Sequence, residues 1–271
     1  MFAAFVIIVI IVIIVISQIN SAVKSSIKRS EDEEYRKRWN AEYAARKVKI
    51  EQDVVLFKEN FNTCFTSAVN NTIAKYIFID FETTDLPFDY TMPSEAIINS
   101  YPFAAQVGCL VFNDAGELID EYQQTIILPE DAEFHPSASR VNGLSKEICE
   151  SQGRPIGEFF DFFKKYMYPG LYLVGHNIKF DHFILKLEAK RNKVKLPKFQ
   201  PFCTMKSIKE DISIRKEYGR GLKNPNLTEL VCYAFFDKAN VSIQIDPHDA
   251  YHDVKLCALS FFKLKLDARC N

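Results

Sequence analysis

The chain has 271 residues, enough for one large domain or one domain with appendages and too few for a multidomain machine. At 48% hydrophobic and 25% charged, with 23 Phe and 12 Tyr against 9 Gly and 11 Pro, it can build a sizeable core and is neither disordered nor collagen-like. Lys plus Arg (34) balances Asp plus Glu (35), so the net charge of -1 exerts no overall pull on nucleic acid or an anionic membrane, and any polyanion must be held by a local site.

From Met1 to Ile16 every residue is apolar, mostly Ile and Val, which places the segment in lipid. At 1.5 Å per residue the run reaches only about 24 Å against a hydrocarbon core of about 30 Å, so the predicted transmembrane anchor takes in Ser17 to Ile19 and covers residues 1–19. A cleaved signal peptide is the other reading; the lack of a basic lead-in and of a small-residue cleavage site before Ala22 opposes it. Lys24, Lys28 and Arg29 all follow the span, which implies a single-pass protein whose C-terminal body faces the cytoplasm. Seven cysteines without a C-x-x-C pair agree, reading as reduced thiols. Residues 20–69 read as a charged helical stalk: Ser30-x-x-Glu33 is a capping box, Glu34/Arg38 and Glu42/Arg46 are i,i+4 pairs, and Tyr35, Trp39 and Tyr43 form one narrow stripe.

Beyond about Asn70 the hydrophobic period changes to two. Strands are predicted at Tyr76–Glu82, Pro102–Asn113 and Gly116–Leu128, with Asn113-Asp114-Ala115-Gly116 as a turn that makes the three a meander. Helices follow at Ile156–Met167 and Phe183–Lys190, separated by a buried strand at Leu171–Val174, and a last helix covers Leu256–Leu266. The expected class for residues 70–271 is therefore α/β with a mixed sheet.

Three short motifs carry candidate chemistry. Asp80 and Glu82 end an apolar strand at i,i+2, so both leave one face about 7 Å apart, an arrangement a hard divalent cation such as Mg²⁺ or Mn²⁺ relieves. Solvated acids at a strand end are the bland alternative. Asn177 and Asp181 stand four apart where a helix begins, with Asp181 between Phe180 and Phe183. His248 and Asp253 would lie about 140° apart within one helix, so they converge only if His248 sits at the helix entry. His248-Asp249-Ala250-Tyr251-His252 also reads as a variant of a zinc-peptidase H-E-x-x-H.

Taken together, Ile79-Asp80-Phe81-Glu82-Thr83-Thr84, His176-Asn177-x-x-Phe180-Asp181 and His248-Asp249-Ala250-x-x-Asp253 resemble, in order and spacing, the motifs of the DEDDh branch of the DnaQ-like 3′ to 5′ exonucleases. The resemblance covers about residues 72 to 268 and extends to Gln106-Val107-Gly108, Val141-Asn142-Gly143-Leu144-Ser145, Cys203-Thr204-Met205 and Asn226-Leu227-Thr228-Glu229-Leu230. It implies a ribonuclease H-like fold with a five-stranded mixed sheet flanked by helices. It further implies that Asp80, Glu82, Asp181 and Asp253 hold two Mg²⁺ or Mn²⁺ ions, that His248 is the general base, and that nucleoside 5′-monophosphates are released. Thr83, Leu86, Asn177 and Phe180 become candidates for holding the last nucleotide, and the implied partner is a nucleic-acid 3′ end, DNA ahead of RNA. Two departures stand out: Asp85 replaces a usual glycine, which Asp tolerates at positive φ, and Asn142 replaces a usual histidine in what reads as a loop. A catalytically inactive nucleic-acid-binding module is the non-enzymatic alternative. The cations Lys186, Lys190, Arg191, Lys193, Lys195 and Lys198 read as a solvated helix face and loop, since no aromatic interleaves them.

Overall fold

The computed structural model describes residues 33–68, 73–236 and 248–270, with Tyr35 and Tyr43 excepted. They fall into two units that part between Leu56 and Phe57. The first unit is helical at residues 33–34, 36–42 and 44–56 (α1), with Trp39, Val48 and Val55 exposed. The anchor expected over residues 1–19 and the capping box at Ser30 lie outside the described residues. Among the described residues no helix is long and apolar enough to cross a membrane.

The second unit is built on one five-stranded sheet in the order β3-β2-β1-β4-β5, with β1 Ala74–Thr83, β2 Ala104–Asn113, β3 Leu118–Thr125, β4 Tyr172–Gly175 and β5 Gln200–Cys203. The first three strands form the antiparallel meander that their alternating sequence implies, while β4 and β5 run parallel to β1. Short helices α2 (Pro136–Asn142) and α3 (Lys146–Gln152) follow the meander. Two helices come next, α4 (Ile156–Phe163) and α5 (Ile178–Arg191). After β5 come α6 (Thr204–Ser207), α7 (Lys209–Ile212), α8 (Leu227–Phe235) and α9 (Ala250–Lys263). The chain leaves β1 to one side for β2 and later crosses to the other side for β4, so the carboxyl ends of β1 and β4 flank a topological switch point, where open sheets form crevices.

Two cores lie on opposite faces of the sheet, and the strand period assigns residues to them. Ile77, Ile79 and Phe81 of β1 pack with Val107, Cys109, Phe159, Phe163 and Ile184. Tyr76 and Phe78 pack on the other face with Leu110, Phe112, Val254, Cys257 and Phe261. β1 is buried along nearly its whole length because helices cover both faces. Asp80 and Glu82 continue the Tyr76-Phe78 series, so alternation alone aims both carboxylates at the layer that contains α9.

Several boundaries differ from the periodicity. The helix predicted from Phe183 begins five residues earlier at Ile178, and the last helix begins at Ala250 rather than Leu256. Both early turns carry polar site residues, which interrupt an apolar stripe without interrupting the backbone hydrogen bonds. At the other end, the helix expected to reach Met167 gives way to a 3-10 turn at Lys164–Tyr166.

The entry of α9 rests directly on β2. A Cβ added to Gly108, the register partner of Asp80, would lie 2.3 Å from the Ala250 carbonyl oxygen and 2.7 Å from the Tyr251 Cα. Backbone cannot retreat as a side chain can. Gly108→Val is therefore expected to lower stability by about 1–3 kcal/mol through overpacking, read as a reduced melting temperature, and to displace the start of α9.

Candidate active site

Three chain segments meet at the carboxyl end of β1. The first is β1 itself, which ends with Asp80 and Glu82, both half-buried. The second is the β4–α5 junction, where Asn177 takes a left-handed conformation (φ 75, ψ 41) that turns the chain into α5. Asn bears this geometry at lower cost than most residues. One turn later Asp181 is buried, and its Oδ1 accepts the Phe81 N–H at 3.0 Å, tying α5 to β1.

The third segment is the entry to α9. His248 is exposed at φ 68 and lies outside the helix, so the angular separation within a helix does not apply to it. Asp249 caps α9, its Oδ1 accepting the N–H groups of Tyr251 and His252 at 3.0 Å each. Gln106 of β2 grips the same turn twice: its Nε2 donates to Asp249 Oδ2 at 2.9 Å, and its Oε1 accepts the Ala250 N–H at 2.9 Å. Gln106, Gly108 and Asp249 thus hold the site together without being among the residues that the sequence motifs single out for chemistry. The signal was present, since Asp ahead of Ala-Tyr-His-Asp is an N-cap pattern and Gln-x-Gly puts a clamp and a gap on one strand face.

Glu82, His248 and Asp253 each offer a ligand atom, and these atoms lie within 4.8 Å of one another. They border a cavity of about 430 Å³ that Asp80 and Asp181 also line, together with Thr83, Leu86 and Phe180. Asn177 is not among its lining residues. The Thr83 hydroxyl already donates to the Asp85 carbonyl at 2.7 Å, whereas Leu86 is 73% exposed and free to meet an apolar surface.

Both departures from the family pattern turn out to be structural features of this cavity. Asn142, expected to affect only a loop, lines it and donates from Nδ2 to the Thr83 carbonyl at 3.1 Å. Asp85 does not adopt positive φ; its Oδ1 accepts the Leu86 N–H at 2.7 Å, so the carboxylate rather than a glycine-like backbone shapes the turn.

Charge crowding dominates the electrostatics. Burial, reinforced by Asp181, Asp253, Glu82 and Asp249, drives the Asp80 carboxyl well above the usual carboxylate range. Burial and Asp253 push Glu82 to about 8 against the opposing pull of the Asn142 amide. Asp181 is raised by burial to about 8 despite the Phe81 N–H, and Asp253 by burial and Asp249 to about 7. Oxygen donors that repel one another in a half-dry cavity are the donor set a hard divalent cation neutralises, so these residues fit such an ion. Behind them, burial lowers His176 to about 4 and keeps it neutral. Its Nε2 lies 3.0 Å from the Pro225 carbonyl and therefore carries the proton, leaving Nδ1 to accept from the Thr204 hydroxyl at 3.0 Å.

A family model described as Exonuclease, of the RNase T type, matches residues 77–261. The chain belongs to this exonuclease family. Its members are DnaQ-like 3′ to 5′ exonucleases with a ribonuclease H-like fold, and they use divalent metal ions. Among solved structures, E. coli exonuclease I in complex with a dA16 oligonucleotide is similar at TM-score 0.55 and 15% identity, over 72% of this chain and 42% of that one. The zinc-bound form of the E. coli exonuclease I complex with single-stranded DNA gives 0.54 and 16%, over 73% and 41%. A product-bound structure of exonuclease I gives 0.53 and 13%, over 74% and 45%. At these identities the likeness concerns the fold, and the chain spans less than half the length of those proteins. No curated protein sequence matches.

Family membership removes the zinc-peptidase reading, and the geometry gives the reason. His252, which that reading needs as a ligand, is absent from the donor cluster and sits 5.8 Å from the Phe61 ring, with Nδ1 3.6 Å from Asp249 Oδ1.

A pH dependence follows from the raised carboxyls. The folded, metal-free protein holds protons that the unfolded chain releases near pH 4, so the contribution of these carboxyls to stability is fully present below that range and is lost as pH rises toward about 8. Thermal melts in EDTA from pH 5 to 8.5 should show this decline. Mn²⁺ should raise the melting temperature most at the alkaline end, where protons no longer compete for the carboxylates.

Proposed function

We propose that the second unit is a 3′ to 5′ exonuclease that removes nucleotides one at a time as 5′-monophosphates. The observation that carries this reading is the meeting of Glu82, His248 and Asp253 within 4.8 Å, in a cavity that Asp80 and Asp181 line. Asp80, Glu82, Asp181 and Asp253 would hold two divalent cations, Mg²⁺ or Mn²⁺. Bound ions supply charge neutralisation at the scissile phosphate and a more acidic attacking water. His248, outside α9 and exposed, would accept the proton of the attacking water at a ring nitrogen. Leu86 and Phe180 provide apolar surface for the last nucleoside, and Thr83 shapes the floor beneath it. Asn177 serves by its left-handed turn, which places Asp181, rather than by touching the strand.

DNA is the favoured substrate, because the similar solved structures hold a dA16 oligonucleotide and single-stranded DNA. Residues 70–271 carry the catalytic domain, preceded in the chain by the stalk expected over residues 20–69, whose last part from Phe57 belongs to the same unit as the domain. The unbroken apolar run makes residues 1–19 a single-pass anchor in the lipid bilayer, with the domain toward the cytoplasm. A binding module without catalysis would have no use for a full set of acids whose crowding destabilises the fold.

Metal-dependent release of mononucleotides from a labelled 3′ end is the direct test. Asp80→Asn is expected to abolish release while leaving a folded protein that melts higher than wild type in EDTA at pH 8, since burial of an ionisable carboxyl among other acids no longer opposes folding. His248→Ala should lower turnover by roughly 10² to 10⁴. Retained Mn²⁺ stabilisation in His248→Ala would separate the loss of a base from the loss of an ion. His252→Ala should affect packing against Phe61 and leave chemistry in place. For the anchor, full-length protein should sediment with membranes and a chain lacking residues 1–24 should not; a soluble full-length protein would refute it.

A further inference from the structure

The cation strip read from the sequence does not form one surface. Arg191 is buried and paired with Glu188 at 2.6 Å, and the Lys190 ammonium donates to the Pro93 carbonyl. Lys186 instead joins two lysines from outside the strip, Lys179 and Lys206, around a groove of about 610 Å³ that Tyr90, His182 and Phe202 also line. Aromatic rings therefore do interleave cations here, but they come from the loop after β1 and from β5, which no linear window could reveal.

The groove and the catalytic cavity lie on opposite flanks of the first turns of α5. Phe180 and Asp181 line the cavity, and their neighbours Lys179 and His182 line the groove. Tyr90 belongs to the groove: its ring lies 5.3 Å from Phe183 and under the Lys179 ammonium at 4.1 Å, and burial, then Asp181, raises its hydroxyl pKa. Lys179, Lys186 and Lys206 are exposed, and none has a carboxylate within 4.0 Å among the described residues. Burial and Lys186 hold His182 down at about 4, so it adds a neutral ring to the groove wall.

Resting on the exonuclease reading, we infer that this groove is a subsite for the single strand 5′ of the scissile phosphate, with Lys179, Lys186 and Lys206 on its phosphates and Tyr90 as a stacking platform. Three unpaired cations beside an anionic cavity match a polyanion whose terminus enters that cavity. Lys179 and Lys186 are about 10.5 Å apart along α5, farther than one nucleotide step of about 3.4 Å, so they address different phosphates. The Lys179 ammonium rests on the Tyr90 ring through a weak exposed cation–π contact, which a phosphate displaces, uncovering the ring for a base.

Fluorescence anisotropy of the full chain in detergent and EDTA, with a labelled single strand of about 12 nucleotides, tests this without hydrolysis. K179A/K186A/K206A should weaken binding at least roughly tenfold and reduce the slope of log affinity against log salt by about 2. The corresponding triple Lys→Arg protein should keep both. Tyr90→Ala should weaken binding about 5- to 150-fold, and Tyr90→Trp should not. Unchanged affinity and salt slope in the triple alanine protein would overturn the subsite, as would equal loss in the arginine protein. Strand cleavage by wild type with lysine-independent binding would overturn the subsite alone. Lysine-dependent binding by a wild type that releases no nucleotide would overturn the exonuclease reading alone.

Discussion

Repulsion among carboxylates at the end of β1 is the constraint around which the rest of the second unit is arranged. Asp80, Glu82, Asp181, Asp253 and Asp249 each feel others of the set, and burial removes the water that would screen them. Such a cluster opposes folding, so its position must be imposed by something stronger. The two aromatic-rich cores supply that force from both faces of the sheet. On the α9 face, Phe78 meets Phe112 and Phe261 edge-on at 5.4 and 5.2 Å. On the other, Phe159 stacks with Phe163 at 5.2 Å. Large rigid side chains bury much area for little conformational entropy, which suits a scaffold that must hold an unfavourable charge arrangement.

Within that scaffold, individual acids are placed by hydrogen bonds rather than by opposite charges. Asp181 takes the Phe81 N–H, Asp249 takes two N–H groups of its own helix plus the Gln106 amide, and Asn142 stands beside Glu82. Neutral donors orient a carboxylate without cancelling its charge, so each acid keeps its attraction for a cation. A lysine or arginine in any of these places would hold the geometry equally well and remove the reason for it. Among the described residues the one tightly buried ion pair, Glu188 with Arg191, lies at the far end of α5, away from the cavity.

Charge is also segregated on a scale that the overall balance of -1 conceals. An anionic cavity and a cationic groove flank the first turns of α5, with Phe180 and Asp181 lining one and Lys179 and His182 the other. Opposite potentials side by side serve opposite needs: one collects cations, and the other draws a phosphate chain toward them. Net charge is a sum over the surface and says nothing about such an arrangement.

Alternation made the meander and the mixed sheet legible in the sequence, because strand period is a local property, while Asp80, Glu82, Asp181 and Asp253 stood out together only through their resemblance to a set of family motifs. The pairing of His248 with Asp253 was legible only as a condition on where α9 begins. Three things were not legible. Asn142 reaches the cavity because α2 folds back over β1, Gln106 and Gly108 matter because α9 lands on β2, and the cationic groove draws Tyr90, Lys179 and Lys206 from segments far apart in the chain. Each depends on which element packs against which, and that is decided by burial of apolar surface over the whole sheet. A sequence states the period of each element, but contact between elements is a collective outcome of packing, and only the tertiary structure records it.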